Sequence, residues 1–197
     1  MILEVLRPFS GSDRLTRWGK LFTMLDAFFI LDTDLDHFRA KKIAETAEGV
    51  RAVPGNFDIT FDDQPLDFST KARIDAGIDA AECLVVLIGQ NTASDPGVIY
   101  AISRAVHEVG IPVIGVRIDK LGDEHRLQGI AGEDPFARSG LSGRSLLQIE
   151  TYDPPYSSSV FARSHIRYTL RDWVALAINE SVRRNARVRR SNRRSAS

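Results

Sequence analysis

The stretch Cys83-Leu-Val-Val-Leu-Ile-Gly-Gln-Asn-Thr-Ala-Ser-Asp-Pro-Gly97 decides the fold. It reads as a buried strand that opens into a small polar loop. Asp95-Pro96 then starts a helix, with an acceptor at the N-cap and Pro at the first helical position. Val98, Ile102, Ala105, Val106 and Val109 form one apolar stripe, and Gly110 closes the helix. Ile111-Pro-Val-Ile-Gly-Val-Arg-Ile118 follows as a second strand with the same appetite for burial. Two such strands joined through a helix make a parallel βαβ unit, and such sheets take ligands at the loops after their strands. Function is therefore expected at Gly89–Gly97.

Working outward, Ala27-Phe-Phe-Ile-Leu31 reads as strand one, with Asp32-Thr-Asp-Leu-Asp36 as its loop and a helix over His37–Gly49. Phe57-Asp-Ile-Thr-Phe61 alternates apolar and polar residues, the signature of an edge strand. The next helix has its cap at Ser69 or Thr70 and carries Ile74, Ile78 and Ala81 on one stripe. Beyond Ile118 lies a Gly- and charge-rich connection, Asp119 to Gly143. Leu146-Leu-Gln-Ile149 is read as a fifth strand, and Ser164 to Arg183 as a final helix. The order is an α/β alternation: a flavodoxin-like three-layer sandwich around a parallel sheet of about five strands, expected in the order 2-1-3-4-5. That order sets the Asp32–Asp36 loop beside the Gly89–Gly97 loop.

Length and composition agree with one domain carrying short extensions, 197 residues with 43% hydrophobic content. The expected divisions are a helical extension at 1–24, the α/β domain at 25–182, and a disordered Arg-rich tail at 183–197. Leu15, Trp18, Leu21, Phe22 and Leu25 recur at helical spacing in the first part. No apolar run approaches a membrane span or a secretory signal, so the cytoplasm is the expected compartment and no membrane partner is expected. The single Cys83 excludes an internal disulfide and sits in a strand, which makes it a core residue.

The neutral formal charge conceals a segregation. Arg183, Arg184, Arg187, Arg189, Arg190, Arg193 and Arg194 crowd the last fifteen residues with no acid among them. The 182 residues before them therefore carry a net charge of −7. Residues 183–194 suit nonspecific contact with nucleic-acid phosphates, although no aromatic interleaves them for base stacking.

Several chemistries are weakly supported. The four histidines, 37, 107, 125 and 165, are scattered without zinc-like spacing. Asp32, Asp34 and Asp36 resemble the acidic pair of a receiver domain. A receiver also needs an Asp after strand three, where this chain has Gly89-Gln90, so no metal is expected. Ser94 and Ser103 have no His–Asp arrangement for a hydrolase.

The chain resembles the TIR-like domain of the Thoeris antiphage signalling subunit, the ThsB family, over about residues 25–182. The resemblance rests on Phe28-Phe29 with the acidic loop and Phe38-Arg39, on Ile74 with Gly77-Ile78, and on Val86-Leu-Ile-Gly-Gln-Asn-Thr92. It continues through Val98 with Ile102, Ile114-Gly-Val-Arg-Ile118, Asp134-Pro-Phe136 and Asp172-Trp-Val174. It implies similarity to TIR enzymes that cleave the nicotinamide–ribose bond of NAD and release a cyclised ADP-ribose signal to a partner effector. No prosthetic group is implied. NAD, or a related nucleotide, is the implied substrate or ligand, and self-association with another TIR-like chain is a further implied partnership. Phe29, Asp32, Asp34, Gly89, Asn91, Thr92 and Tyr100 are the expected binding residues.

One position departs from the pattern. Family members usually read Trp-Val-x-x-Glu-Ile after strand three, and that Glu is catalytic. Here the chain reads Gly97-Val-Ile-Tyr-Ala-Ile102. A carboxylate at position 101 would orient ribose hydroxyls and stabilise the cationic sugar as nicotinamide leaves, whereas the methyl of Ala101 does neither. The sequence thus supports a nucleotide-binding TIR-like domain with degenerate catalysis. The alternatives are an active NAD-cleaving enzyme served by another acid, and a nucleic-acid-associated protein working through its arginines.

Overall fold

The computed structural model describes residues 24–58 and 66–195. Five strands form one wholly parallel sheet in the order β2-β1-β3-β4-β5, as the alternation required. They are β1 (Leu25–Ile30), β2 (Val50–Ala52), β3 (Cys83–Ile88), β4 (Val113–Arg117) and β5 (Glu150–Tyr152). The helices are α1 (Thr33–Thr46), α2 (Phe68–Asp79), α3 (Pro96–Arg104), the short α4 (Gly143–Leu146) and α5 (Ser159–Ser195).

A parallel sheet buried on both faces needs strands that are apolar in both directions. In β1 and β3 successive residues divide between two clusters. Ala27, Phe29, Cys83, Val85 and Leu87 pack with Ala40 and Ile43 of α1 and with Ala162, Ile166, Leu170 and Val174 of α5. Phe28, Ile30, Leu84, Val86 and Ile88 pack with Ile74 and Ile78 of α2 and with Val98, Ala101 and Ile102 of α3. Cys83 is wholly buried, and burial pushes its thiol far above the ordinary range, so it is a core residue as expected.

The α3 helix starts as the sequence required. Asp95 accepts hydrogen bonds from the Gly97 and Val98 N–H groups at 2.7 and 3.0 Å. The helix ends in a π-turn, Ala105–Val109, and Gly110 closes it in the left-handed region at φ 77°.

Five boundaries differ from the sequence reading. The acidic stretch after β1 is not a loop. Asp32 is an N-cap, accepting from the Asp34 N–H at 3.1 Å, and residues 33–36 form the first turn of α1. The cap of α2 is Asp67, ahead of Ser69 and Thr70. The second strand is Val50–Ala52, not Phe57–Phe61: Phe57 lies in a 3-10 turn, Asn56–Asp58, and residues 59–61 fall outside the described residues. The Phe57 ring stacks on Phe29 at 6.2 Å, so its burial reflects packing onto the sheet rather than membership in it.

The fifth strand is Glu150–Tyr152. Leu146 ends α4, and Leu147 is 87% exposed. An edge strand is defined by its backbone pairing, here Ile114 with Glu150 and Val116 with Tyr152, and needs no apolar run. Finally, α5 starts at Ser159 and continues to Ser195, so the tail expected to be disordered is helical over 183–195. The physical reason is legible: no Gly or Pro follows Pro155, and Arg and Ala are strong helix formers. The expected helical extension at 1–24 lies outside the described residues apart from Met24.

Gly77 shows how tightly α2 seats on the sheet. A Cβ there would meet the Phe28 ring at 2.5 Å, and Phe28 is itself 1% exposed. Gly77→Val is expected to lower unfolding free energy in urea by about 1–3 kcal/mol through overpacking. The exposed Ala72→Val on the same helix should cost no more than about 0.7 kcal/mol.

Candidate functional site

At the carboxyl ends of β1, β3 and β4 three segments converge: the start of α1, the loop after β3 and the connection after β4. Asp36, in the first turn of α1, is 2% exposed. Its carboxylate lies flat against Gly89, where a Cβ would come within 1.7 Å of Oδ2. Gly89 is therefore fixed by a close approach from the neighbouring helix, and the two loops meet as the strand order required.

Arg39, one turn on, organises the surroundings. Its Nη1 donates to Asp36 Oδ1 at 2.8 Å and to the Leu35 carbonyl at 3.2 Å. Its Nε donates to the Leu121 carbonyl at 2.9 Å and its Nη2 to the Leu127 carbonyl at 3.0 Å. The planar guanidinium thus ties α1 to both arms of the segment after β4, a task that a lysine's point charge cannot perform. That segment has its own supports. Asp123 caps a turn by accepting from the His125 and Leu127 N–H groups, both at 2.9 Å. Those bonds, with the nearby Arg39 charge, hold its carboxyl below the ordinary range. Farther along, Gly132 packs on the loop after β3: a Cβ there would lie 1.8 Å from the Gly89 carbonyl oxygen.

Between these walls is a cleft of about 310 Å³ lined by residues that include Asp36, Gln90, Asp119, Asp123, Gln128 and Ile130. Asp36 Oδ2 and Asp119 Oδ1 are buried acceptors that receive no hydrogen bond among the described residues. Burial pushes the Asp36 carboxyl above the usual aspartate range; Arg39 opposes this, while Asp32 and Asp119 add to it. Asp95 is also raised, first by burial and then by the charges of Asp32 and Asp34, which places an acidic rim where α1 and α3 begin. The cleft accepts hydrogen bonds far better than it donates them. Its chemistry suits hydroxyls and cationic groups, not a bare phosphate. Among the described residues no group of three or more His, Cys, Asp or Glu is placed to hold a metal ion.

The sequence-derived residues are distributed unevenly around this cleft. Asp34 and Asn91 are exposed near its rim, and Asp32 is the α1 cap. Gly89 forms part of the floor against Asp36. Thr92 is fully buried: it accepts from the Gly89 N–H at 2.9 Å and donates to the Leu87 carbonyl at 3.2 Å, which fixes the loop internally. Phe29 lies in the core, its backbone N–H and carbonyl both held by the Asn56 side chain at 2.7 Å. Tyr100 faces α2, donating to Asp75 Oδ1 at 2.8 Å beside Arg104. Ala101 is fully buried in the apolar cluster under α3, with Phe136 of the covering segment in the same cluster.

Residues 35–123 match the family described as Thoeris protein ThsB, TIR-like domain. Over that segment, which is less than half of the chain, the protein is similar to this family. The match takes in Asp36, Arg39, Gly89, Ala101, Asp119 and Asp123, and stops short of the arm at 127–130. The likeness supports a TIR-like domain of the Thoeris kind. No curated protein matches the chain. Among the described residues no helix is long and apolar enough to cross a membrane. Sequence reasoning missed Arg39 as the organiser and Asp119 and Asp123 as cleft residues. The one local signal was the Asp36–Arg39 spacing of three, which puts the two side chains on one face of a helix.

Arg39→Ala should cost about 3–5 kcal/mol in urea unfolding, because it strands a buried carboxylate. Amide exchange should accelerate first over residues 121–129. Asp36→Asn tests the sign of the carboxyl's shift. A raised folded-state value means that Asp36 favours the fold most below the ordinary aspartate range and loses that contribution as pH rises through its own value. The stability of Asp36→Asn relative to the unmodified protein should therefore improve as pH is raised across that range; a steady decline would contradict the assignment.

Proposed function

We propose that this domain binds NAD or an ADP-ribose-type nucleotide in the cleft between α1 and the 119–130 segment, and that it turns NAD over very slowly. The observation that carries the second half is the burial of Ala101. At the position where the family resemblance calls for a catalytic Glu there is a methyl group inside an apolar cluster. Nothing there can receive the charge that develops on the ribose as nicotinamide leaves.

The first half is supported by the cleft itself. A volume of about 310 Å³ is at the small end for ligand sites and suits one nucleoside rather than a whole dinucleotide. Asp119 and Asp123 offer acceptors to a ribose diol, and Gln90 adds an amide group, while Gln128 is held by its Nε2 on the Lys120 and Ser157 carbonyls and adds only its Oε1. An acidic lining attracts the cationic nicotinamide ring and repels the pyrophosphate, which in this reading lies outward past the exposed Asn91. The domain then takes part in nucleotide signalling as a binding module, working with a partner effector or a second TIR-like chain in the cytoplasm.

The test is incubation of the purified protein with NAD, scoring both binding by calorimetry and nicotinamide release. Binding with release near background is expected, since one missing electrostatic group of this type is worth about 10²–10³ in rate. Asp119→Ala should weaken binding about tenfold, the equivalent of one hydrogen bond near 1.4 kcal/mol. Ala101→Glu should destabilise the fold by about 3 kcal/mol or more through an uncompensated buried charge, and should not restore cleavage. Vigorous nicotinamide release that survives changes at Ala101 would show that another acid performs the chemistry.

A further inference from the structure

The α5 helix runs antiparallel to the sheet. It begins beside the carboxyl end of β4, where the Gly122 N–H donates to Ser159 Oγ at 2.6 Å. By Arg184 it has reached Pro112, Val113 and Glu150, at the amino ends of β4 and β5. The remaining turns to Ser195 continue past the sheet, at the end opposite the cleft. Residues 185–189 are all exposed, including Val188. Arg184 pairs with Glu180 at 3.9 Å, and that is the last acid in the chain.

Helical periodicity orders the seven arginines. Positions 183, 187, 190 and 194 recur at i, i+4, i+7 and i+11, so these four positions share one face of the helix backbone over about 16 Å of axis. Arg189 and Arg193 lie to one side of that stripe and Arg184 to the other. Three like-charge pairs stand at i, i+4 (183 with 187, 189 with 193, 190 with 194), each of which disfavours an isolated helix. The sequence thus builds a helix that repels itself, and a polyanion is the ligand that would relieve it.

The geometry points to a second binding site on this chain: the basic end of α5 docks along the phosphates of double-stranded DNA, independently of the nucleotide cleft. An α-helix of about 10–12 Å diameter fits the major groove, and arginines spread around it reach the phosphates of both walls. Guanidinium forks match phosphate oxygens in pairs. Binding is taken as nonspecific, because phosphate contacts carry no sequence information and the segment has no aromatic to stack on bases. An anionic membrane fits less well. Only Ala186 and Val188 are apolar between 183 and 195, too few for a buried face. Duplex RNA fits less well too, since its major groove is deep and narrow.

Fluorescence anisotropy of a labelled mixed-sequence DNA duplex, titrated with the full chain over a range of salt, tests the site. Neutralising the four-arginine stripe predicts a log–log salt slope of about −3.6, near −0.9 for each phosphate. Replacing Arg183, Arg187, Arg190 and Arg194 by Gln should weaken binding at least about tenfold and flatten the slope, while the melting temperature stays put. Duplex RNA of the same length should bind more weakly, and vesicles of anionic lipid should not compete. Failure to bind at low salt, or equal binding by the Gln variant, would overturn the proposal. So would a tail-dependent dimer in sedimentation that excludes DNA, because the acidic body of a second copy would then be the occupant. Nicotinamide release and NAD binding should be the same in both proteins, so this result stands apart from the cleft reading.

Discussion

One guanidinium holds the functional end of this molecule together. Arg39 reaches from the second turn of α1 to Asp36 on its own helix and to the carbonyls of Leu121 and Leu127 across the cleft. The arms it gathers have no strand or long helix to stiffen them, and loops without such supports sit at the low-stability end of a fold. Removing this contact would release the wall of the cleft and leave Asp36 charged in a desolvated place. Two glycines make it possible. Gly89 lets the Asp36 carboxylate lie against the β3 loop, and Gly132 lets the covering segment lie against the same loop from another side.

The clamp also limits what the cleft can do. With Nε, Nη1 and Nη2 all engaged, Arg39 is a structural cation and does not receive a phosphate. What the cleft offers a ligand in the proposed function is mainly acceptors, Asp119 and Asp123, since the Asp36 carboxylate is buried between Arg39 and Gly89. Chemistry of this kind reads a ribose or a cationic ring. The apolar floor under α3, where Ala101 lies, supplies no acid to go with it. In the proposed function, binding and catalysis are therefore separable. A family resemblance that stretches over both is informative about fold and place more than about turnover.

Much of the fold was legible because a parallel sheet writes itself into sequence as uninterrupted apolar runs. Cys83–Ile88 and Val113–Arg117 are such runs, and Asp95-Pro96 with Gly110 brackets the helix between them. The short edge strands were not legible. Val50–Ala52 and Glu150–Tyr152 are three residues each, held by backbone pairing, with sequences that no pattern distinguishes from loop. The acidic stretch at 32–36 has the low apolar content of a loop, and only the capping role of Asp32 marks it as a helix start. The meeting of the two loops at Gly89 followed from strand order alone. The roles of Arg39, Asp119 and Asp123 did not. They depend on how the segment after β4 folds back, and that long-range contact has no local periodicity to announce it. Phe29, Thr92 and Tyr100 are each engaged elsewhere, in the core, within a loop, or against α2.

The proposed function requires the cleft between α1 and the 119–130 segment to be the nucleotide site. Amide chemical shifts recorded while the protein is titrated with ADP-ribose, which has no nicotinamide bond to break, examine this directly. The account predicts saturable shifts concentrated at Gln90, Asp119, Asp123 and Gly129, lost in Asp119→Ala. Saturable shifts confined to the α2–α3 face around Asp75 and Tyr100, or none at all, would contradict it.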